Sequence, residues 1–392
     1  MGGDRMKITR ITAFSAGYMK VDPEMHRSFS LVKIDTDAGH VGWGEASSSY
    51  GHSYPTVVET IVDDVLADVL VGKNPLAIRA RLAEMHLWLD GYLGWDGVSA
   101  QVIGAIEIAL WDIFGQEHGV SLAAILGAGL DSLPLYATGT TAFEVDLGWH
   151  ETYFDDVLGV GIKAIKVRLG NDPDRDLELI ARTRRAIGDD CLLMADGYWT
   201  YTLREAIRLA RRMEPYDVNF YEEPLPQYMI EALAELRAES PVRIAVGERV
   251  FSLAGFRNVV HHRAADVLQP DPTVCGGILA CMEVAALAKA HDLAVIPHIG
   301  GLTAVGVAAG LHLAAAIEPE VLEYDPDPYQ PLRDDLLLDP IFGMDRVENG
   351  RMAVPTGPGL GIEIDETVLD AYPYQRGKLY QELYPEHGAG RL

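Results

Sequence analysis

From residue 133 onward, short apolar runs alternate with segments of helical period such as 176–188 and 203–214. Apolar runs of this length, separated by helices, are typical of buried parallel strands in repeated β–α units. Because there are eight such units, the pattern predicts an α/β fold over 131–325, a modified (β/α)8 barrel of the TIM type. An open doubly wound sheet is the alternative, but no GxGxxG follows any strand candidate. The strand candidates are residues 133–139, 162–168, 191–196, 218–223, 243–248, 265–271, 293–298 and 321–325.

The first 130 residues have a different pattern. Apolar and polar residues alternate in 7–16 and 27–36, which predicts an antiparallel meander. The period then becomes helical, and the mostly apolar residues 98–119 should form a buried helix. We therefore expect an α+β capping domain over 1–130. Residues 326–392 are rich in Asp, Pro and Gly and are expected to leave the barrel and pack back on the cap.

Residues 299–317 form an apolar stretch long enough to suggest a membrane span. They consist mostly of Gly and Ala, contain His312 and have no flanking Lys or Arg. We therefore predict a buried helix packed against the sheet.

The overall charge narrows the range of partners. A formal net charge of −26 argues against nucleic acid and anionic membrane surfaces, and it means that an anionic ligand needs a local positive site. The three cysteines (Cys191, Cys275 and Cys281) lack CxxC spacing, and the N-terminus has no apolar signal-peptide core, so we expect a cytoplasmic protein.

Three carboxylates recur at intervals of 26 residues, and each ends a strand candidate: Asp196, Glu222 and Glu248. Parallel strands finish on the same edge of a sheet, so these side chains should converge there. Three anions at such a distance repel one another, and a hard divalent cation relieves that repulsion. All-oxygen ligands suit Mg²⁺, which predicts a magnesium site at the C-terminal mouth of the barrel.

Two cations share the second strand candidate. Alternation directs Ile165 and Val167 toward the outer helices, and Lys166 and Arg168 inward. We expect the metal and Arg168 to lower the pKa of Lys166, which would let the lysine act as a base.

The sixth strand candidate ends in Asp271 and the seventh in His298. An Asp that bonds one imidazole nitrogen fixes the tautomer and raises the basicity of the other nitrogen, so the pair is a candidate general acid/base dyad. Glu323 ends the eighth strand and is expected to bind substrate or donate a proton, or else to form a structural ion pair. Tyr198 is a candidate proton donor or polar wall, and Arg249 a weaker candidate for binding a carboxylate.

Together these segments resemble the mandelate racemase/muconate lactonizing enzyme branch of the enolase superfamily, over almost the whole chain. The matching segments are 106–127, GIKAIKVRLG (161–170), MADG (194–197), YEEP (221–224), VGER (246–249), LQPDPTVCGG (268–277), IPHIGG (296–301) and VPTGPGLGIEI (354–364). The resemblance implies Mg²⁺-assisted removal of the proton α to a carboxylate, with Mg²⁺ and Lys166 stabilising the enediolate. It also implies a homo-oligomer, either a dimer or an octamer, and two specificity loops at about 17–29 and 45–55. The hydroxyl, His and Arg content of those loops suits a polyol chain, so the expected substrate is a sugar acid.

Two positions depart from the family pattern. Arg168 stands where the second lysine of the Lys-x-Lys motif is usual, and Tyr198 stands where an Asn is often found. Because a guanidinium does not readily lose its proton, His298 is the one credible base. We therefore predict a sugar-acid dehydratase that gives a 2-keto-3-deoxy acid, with His298 in both proton-transfer roles or with Tyr198 as the acid. A lactone cycloisomerase, a racemase or epimerase, and a non-catalytic metal- and ligand-binding relative remain alternatives.

Overall fold

The computed structural model describes residues 6–21, 24–48, 53–141, 147–170, 172–327 and 329–376. A three-stranded antiparallel sheet comes first: β1 (Ile8–Val21) pairs with β2 (Glu24–Thr36), which pairs with β3 (Val41–Ala46). This arrangement confirms the predicted meander.

The loop predicted at 17–29 was wrong for most of its length. Strands β1 and β2 continue through this region as a paired hairpin, and only residues 22 and 23 lie outside the described part. The strands persist because large side chains pair across them; the rings of Tyr18 and Phe29 stack with centroids 5.7 Å apart. Of the second predicted loop, 45–55, residues 49–52 are outside the described residues, and Glu45 and Ala46 still belong to β3.

Helices cover one face of this small sheet. They are α1 (Pro55–Ile61), a π-helical turn (Val62–Leu66), α2 (Ala67–Leu70), α3 (Ile78–Leu89), α4 (Val98–His118) and α5 (Leu122–Leu126). Helix α4 lies directly on β3, since a Cβ on Gly44 would come 1.8 Å from the backbone oxygen of Ala105. Among the described residues α4 is long and apolar enough to cross a membrane, but 83% of its apolar window is buried inside the protein, as predicted for 98–119.

The eight predicted strands of the large sheet are all present and parallel. They are β4 (Ser132–Thr141), β5 (Ala164–Arg168), β6 (Leu192–Asp196), β7 (Val218–Glu222), β8 (Arg243–Val246), β9 (Val267–Leu268), β10 (Ala294–Val295) and β11 (Leu322–Tyr324). Their order is β10-β9-β8-β7-β6-β5-β4-β11, so the first and last strands in the chain are neighbours, as in a barrel. Within the described residues, no ladder joins β10 to β11, and the sheet is a curled barrel that is open at that seam.

The two faces of this sheet are filled as the alternation in the sequence predicted. Ile165 and Val167 belong to the large apolar layer beneath the outer helices. Ala164 belongs to the small interior cluster, and the ammonium of Lys166 lies 5.5 Å from the ring centroid of the interior residue Tyr136.

Helices follow the strands of the large sheet. They are α6 (Leu147–Gly159), α7 (Pro173–Ile187), α8 (Leu203–Met213), α9 (Ile230–Glu239), α10 (Ser252–His261), α11 (Ile278–Ala290) and α12 (Ala304–Ile317). Local sequence explains several of their starts: Asp172 accepts backbone N–H bonds ahead of α7, and Thr202 with Glu205 forms a capping box on α8. Helix α12 is almost wholly buried, which confirms the prediction made for 299–317.

The last segment returns to the N-terminal part of the chain. It contains α13 (Pro331–Asp334), β12 (Arg351–Ala353) and α14 (Thr367–Ala371), and β12 pairs antiparallel with β4. Gly359 exchanges backbone hydrogen bonds with the turn between α4 and α5, at Val120 and Leu122. His312 on α12 joins this contact, accepting from Ala123 N (3.1 Å) and donating to Leu360 O (3.0 Å).

Candidate active site

The predicted site residues gather at the carboxyl ends of the parallel strands. Strand register places Arg168 beside Asp196 and Asp196 beside Glu222. Glu248 follows the end of β8 by two residues. The regular spacing in the sequence therefore becomes adjacency in space, because each β–α repeat advances the chain by one strand.

Each of the three carboxylates contacts a protein cation. Lys166 Nζ lies 2.7 and 2.8 Å from the two carboxylate oxygens of Glu222. Arg168 Nε is 3.6 Å from Asp196 Oδ2, and His298 Nε2 is 3.0 Å from Glu248 Oε2. All of these side chains are at least nine-tenths buried, so the charges interact with little solvent screening.

Burial and mutual repulsion perturb the acids of this cluster. Burial raises the pKa of Asp196, with Glu248 adding to the rise and Lys166 and Arg168 opposing it. Burial also raises the pKa of Glu222, against the effect of Lys166. Glu248 moves the other way: burial would raise its pKa, but Arg249 and His298 hold it well below the usual range.

The protein groups around Lys166 raise its pKa, and the lowering expected from a bound metal and Arg168 stays a prediction. Burial alone would lower that pKa, but the anions of Glu222 and Glu323 raise it well above its usual value. Glu323 Oε1 is 3.0 Å from the ammonium, opposite Glu222. Because two carboxylates hold Lys166 as a cation, it is suited to binding negative charge rather than to accepting a proton.

Asp271 and His298 form the predicted dyad. His298 Nδ1 lies 2.8 Å from Asp271 Oδ2, and the other oxygen of Asp271 accepts from Thr273 N (2.8 Å) and Thr273 Oγ1 (2.6 Å). Since an ionised carboxylate only accepts, Nδ1 carries a hydrogen and Nε2 faces the site. Burial lowers the pKa of His298, but Glu323 and Glu248, with the Asp271 bond, raise it well above its usual value.

Glu323 lies between the dyad and Lys166. It accepts from Thr138 Oγ1 (2.5 Å) and Gly300 N (3.1 Å), and its Oε2 is 3.4 Å from His298 Nε2. Burial would raise its pKa, but Lys166, His298 and the Thr138 bond lower it to about 2. An acid this strong is an anion at neutral pH, which argues against the proton-donor role considered for Glu323.

Arg249 is engaged inside the protein. Its guanidinium contacts the carboxylates of Glu248 and Glu223, and it stacks over the rings of Tyr198 (5.1 Å) and Trp199 (4.9 Å). Tyr198 and Trp199 both have positive φ, 44° and 54°, in the turn that follows β6. These contacts make Arg249 a support for Glu248, so its predicted reach to a substrate carboxylate is not favoured. They also place the Tyr198 ring against Arg249.

The sequence reasoning overlooked Gln269. Its side-chain amide donates to Glu222 Oε2 (2.7 Å), and its own Oε1 is buried with no protein donor among the described residues. The alternation of side chains along a strand could have identified it, because Gln269 lies two positions before Asp271 and therefore points to the same inner face.

The donor set of Asp196, Glu222, Glu248 and the unsatisfied oxygen of Gln269 consists of oxygens, which is the preference of a hard cation such as Mg²⁺. As arranged here, no three His, Cys, Asp or Glu side chains within the described part of the chain lie close enough together to hold an ion. The carboxylates instead bond to the neighbouring lysine, arginines and histidine. The residues thus fit Mg²⁺ by the chemistry of their donor atoms.

Comparison with known proteins identifies related domains in both the N-terminal part of the chain and the barrel. The model of the mandelate racemase / muconate lactonizing enzyme N-terminal domain matches residues 16–127, and that of the enolase C-terminal domain-like family matches 154–368. D-galactarolactone cycloisomerase of Agrobacterium fabrum is 32% identical over 373 residues, covering 92% of this chain and 94% of the relative. Arabinonate dehydratase of Saccharolobus solfataricus is 30% identical, covering 87% and 89%. A Streptomyces coelicolor racemase solved with bound magnesium superimposes with a TM-score of 0.83 at 26% identity, covering 94% of this chain and 100% of the racemase.

Proposed function

The chain belongs to the mandelate racemase/muconate lactonizing enzyme family of the enolase superfamily, and on that basis we propose that it is a Mg²⁺-dependent sugar-acid dehydratase. It would remove the proton α to a carboxylate and eliminate the β-hydroxyl, giving a 2-keto-3-deoxy acid. Relatives named as dehydratases of sugar acids support the substrate class.

The observation that carries this proposal is the one-sided arrangement of proton-transfer groups. His298, oriented by Asp271, follows β10, whereas Arg168 is on β5, five strands away in the curled sheet. The two therefore face the mouth from opposite sides. A guanidinium does not act as a base at neutral pH, so of these two residues His298 is the proton acceptor. Racemisation needs a base on each face of the α-carbon, whereas elimination needs one.

In the proposed reaction, His298 carries out both proton transfers. The facing carboxylates favour the protonated form of His298, so the ring must first release the proton on Nε2. Nε2 then takes the proton from the α-carbon, and the electron pair left behind forms an enolate. The imidazolium returns the proton to the departing β-hydroxyl, which leaves as water. The enol that remains tautomerises to the 2-keto acid. The facing anions Glu248 and Glu323 stabilise the imidazolium, while Asp271 keeps the ring in the required tautomer.

The remaining side chains would bind and orient the substrate. Lys166, held as a cation by Glu222 and Glu323, is placed to stabilise negative charge on the enolate. Held by Asp196, Glu222 and Glu248, Mg²⁺ would supply positive charge that polarises the substrate carboxylate. We retain Tyr198 as an alternative proton donor.

The test is a screen of mono- and di-acid sugars and their lactones with Mg²⁺, in which 2-keto acids are detected as semicarbazones. We expect one or a few substrates to give a signal that EDTA abolishes and that His298→Asn loses. Full dehydration by His298→Asn would contradict the assignment of the base.

The second candidate is a sugar-acid lactone cycloisomerase, because the Agrobacterium fabrum relative at 32% identity has that name. This reaction also needs a single base. Product mass separates the two reactions, since elimination loses one water and opening of a lactone loses none. A turnover product isomeric with its lactone substrate would favour the cycloisomerase. Ligand binding without turnover of any library member would favour the non-catalytic alternative.

We further propose that the protein works in the cytoplasm as a homo-oligomer. The three cysteines are buried free thiols, in keeping with a reducing compartment. Light scattering coupled to size-exclusion chromatography would distinguish a dimer or octamer from a monomer.

A further inference from the structure

Glu45, at the end of β3, is a fully buried carboxylate that binds the start of α12. Its Oε2 accepts from Thr303 Oγ1 (2.6 Å), Gly306 N (2.9 Å) and Thr303 N (3.1 Å). Burial raises the pKa of Glu45 to about 7. A buried carboxylate is costlier than an apolar side chain of the same size, so this group demands an explanation beyond packing.

Thr303 ends the loop that carries His298, and Gly306 lies in the first turn of α12. Only four residues separate His298 from Thr303, which caps α12 by accepting from Val305 N. The anchor at Glu45 therefore limits how far the His298 loop can shift.

A second contact from the same strand end reaches the other half of the dyad. Ser47 N donates to Thr273 O (3.3 Å), and Thr273 donates twice to Asp271. Residues 45 and 47 thus touch both the loop after His298 and the loop after Asp271.

The strand that carries these contacts is itself rigidly packed. A Cβ on Gly42 would lie 2.1 Å from Ala109 O, and one on Gly44 would lie 1.8 Å from Ala105 O. Because β3 and α4 approach so closely, β3 has little freedom to move. A rigid element holds a catalytic geometry better than a loop does.

We propose that Glu45 is a positioning residue, which fixes the Asp271–His298 dyad by anchoring the loop after His298 to the small sheet. Its kinetic consequence rests on the proposed function. The anchoring itself does not, and it is testable without substrate.

The experiment compares Glu45→Met with Glu45→Gln. Methionine fills the space but accepts no hydrogen bond, whereas the glutamine oxygen can replace Oε2 and keep the bonds to Thr303 and Gly306. Hydrogen–deuterium exchange of the intact protein should show faster exchange of residues 271–277 and 296–302 in Glu45→Met and near-native exchange in Glu45→Gln.

With the substrate from the screen, kcat should fall about 10- to 100-fold in Glu45→Met, with little change in KM. The kinetic isotope effect with α-deuterated substrate should rise, since a displaced base slows proton removal; a mere loss of folded protein leaves that ratio unchanged.

Two further variants keep the test decisive if Glu45→Met folds poorly. Gly306→Ala would place a Cβ 2.6 Å from Glu45 Oε2 and push the carboxylate away without removing it, so it should reproduce the faster exchange and the raised isotope effect. Asp112→Met is the matched control: it removes a different buried carboxylate, on α4, which accepts from Trp43 N and Leu360 N, and it should leave the isotope effect unchanged. Exchange confined to 303–306 in Glu45→Met, with the 271–277 segment protected as in wild type, would overturn the proposal. So would an unchanged isotope effect in both Glu45→Met and Gly306→Ala. If no substrate is found, the exchange data alone decide the anchoring.

Discussion

His312 should make the protein sensitive to mild acid. The imidazole is fully buried where α12, α5 and the C-terminal segment meet, and burial lowers its pKa to about 4. A free imidazole has a pKa of about 6.5. Because the folded-state pKa is the lower one, the unfolded chain binds the proton more readily. The stability contributed by neutral His312 is therefore complete above pH 6.5 and is lost as the pH falls toward 4.

The magnitude follows from the size of the shift. A difference of about 2.5 pKa units, at about 1.4 kcal/mol each, corresponds to about 3.5 kcal/mol of unfolding free energy, of which about 3 kcal/mol is lost by pH 4. Buried acids such as Glu45 and Glu107, whose pKa values burial raises to about 7, act in the opposite direction over part of this range. A stability curve of the wild type alone therefore does not isolate His312, and a non-titrating variant is required.

The assay is urea unfolding at pH 7, 6, 5 and 4 of the wild type and His312→Gln. The glutamine amide can still donate to Leu360 O. The variant lacks the imidazole Nδ1 that accepts from Ala123 N, and the loss of this hydrogen bond lowers stability by the same amount at every pH. We expect the variant to be less stable at pH 7 and to lose about 3 kcal/mol less than the wild type by pH 4. Parallel curves for the two proteins would show that His312 is not held neutral, and the reasoning from its burial would fail.

The other predictions concern the site and the packing beside it. His298→Asn should lower turnover about 10²- to 10⁴-fold and leave Mg²⁺ affinity, measured by calorimetry, near the wild-type value; a large loss of affinity would mean that the ring acts on the metal site instead. Mg²⁺ at about 100 times its Kd should raise the unfolding free energy by about 2.7 kcal/mol, and Glu248→Gln should remove most of that gain. Gly44→Ala should destabilise the protein by about 3 kcal/mol in urea titrations because its Cβ would meet Ala105 O, whereas the open position in Gly91→Ala should tolerate the change; equal effects would contradict the close packing.

Much of the fold was predictable because strand and helix periods are local properties. All eight parallel strands appear where the apolar runs stood, and the buried helices at 98–119 and 299–317 are present. The main difference is the hairpin, since the family resemblance implied a loop at 17–29 where the two strands are paired. Pairing along the whole length of β1 and β2 offsets the cost of ordering that polar stretch.

The sequence by itself determined which side chains share the inner face and the carboxyl edge of the sheet, since both follow from a period of two along a strand and one strand per β–α repeat. It therefore brought Asp196, Glu222 and Glu248 to one edge, and paired Asp271 with His298. Only the tertiary structure decided the charge state of each group and the partners that hold it. Lys166 is kept protonated by Glu222 and Glu323, acids that lie 56 and 157 positions away in the chain. Electrostatic interactions depend on distance in space and on the exclusion of water, and neither quantity is encoded in local periodicity.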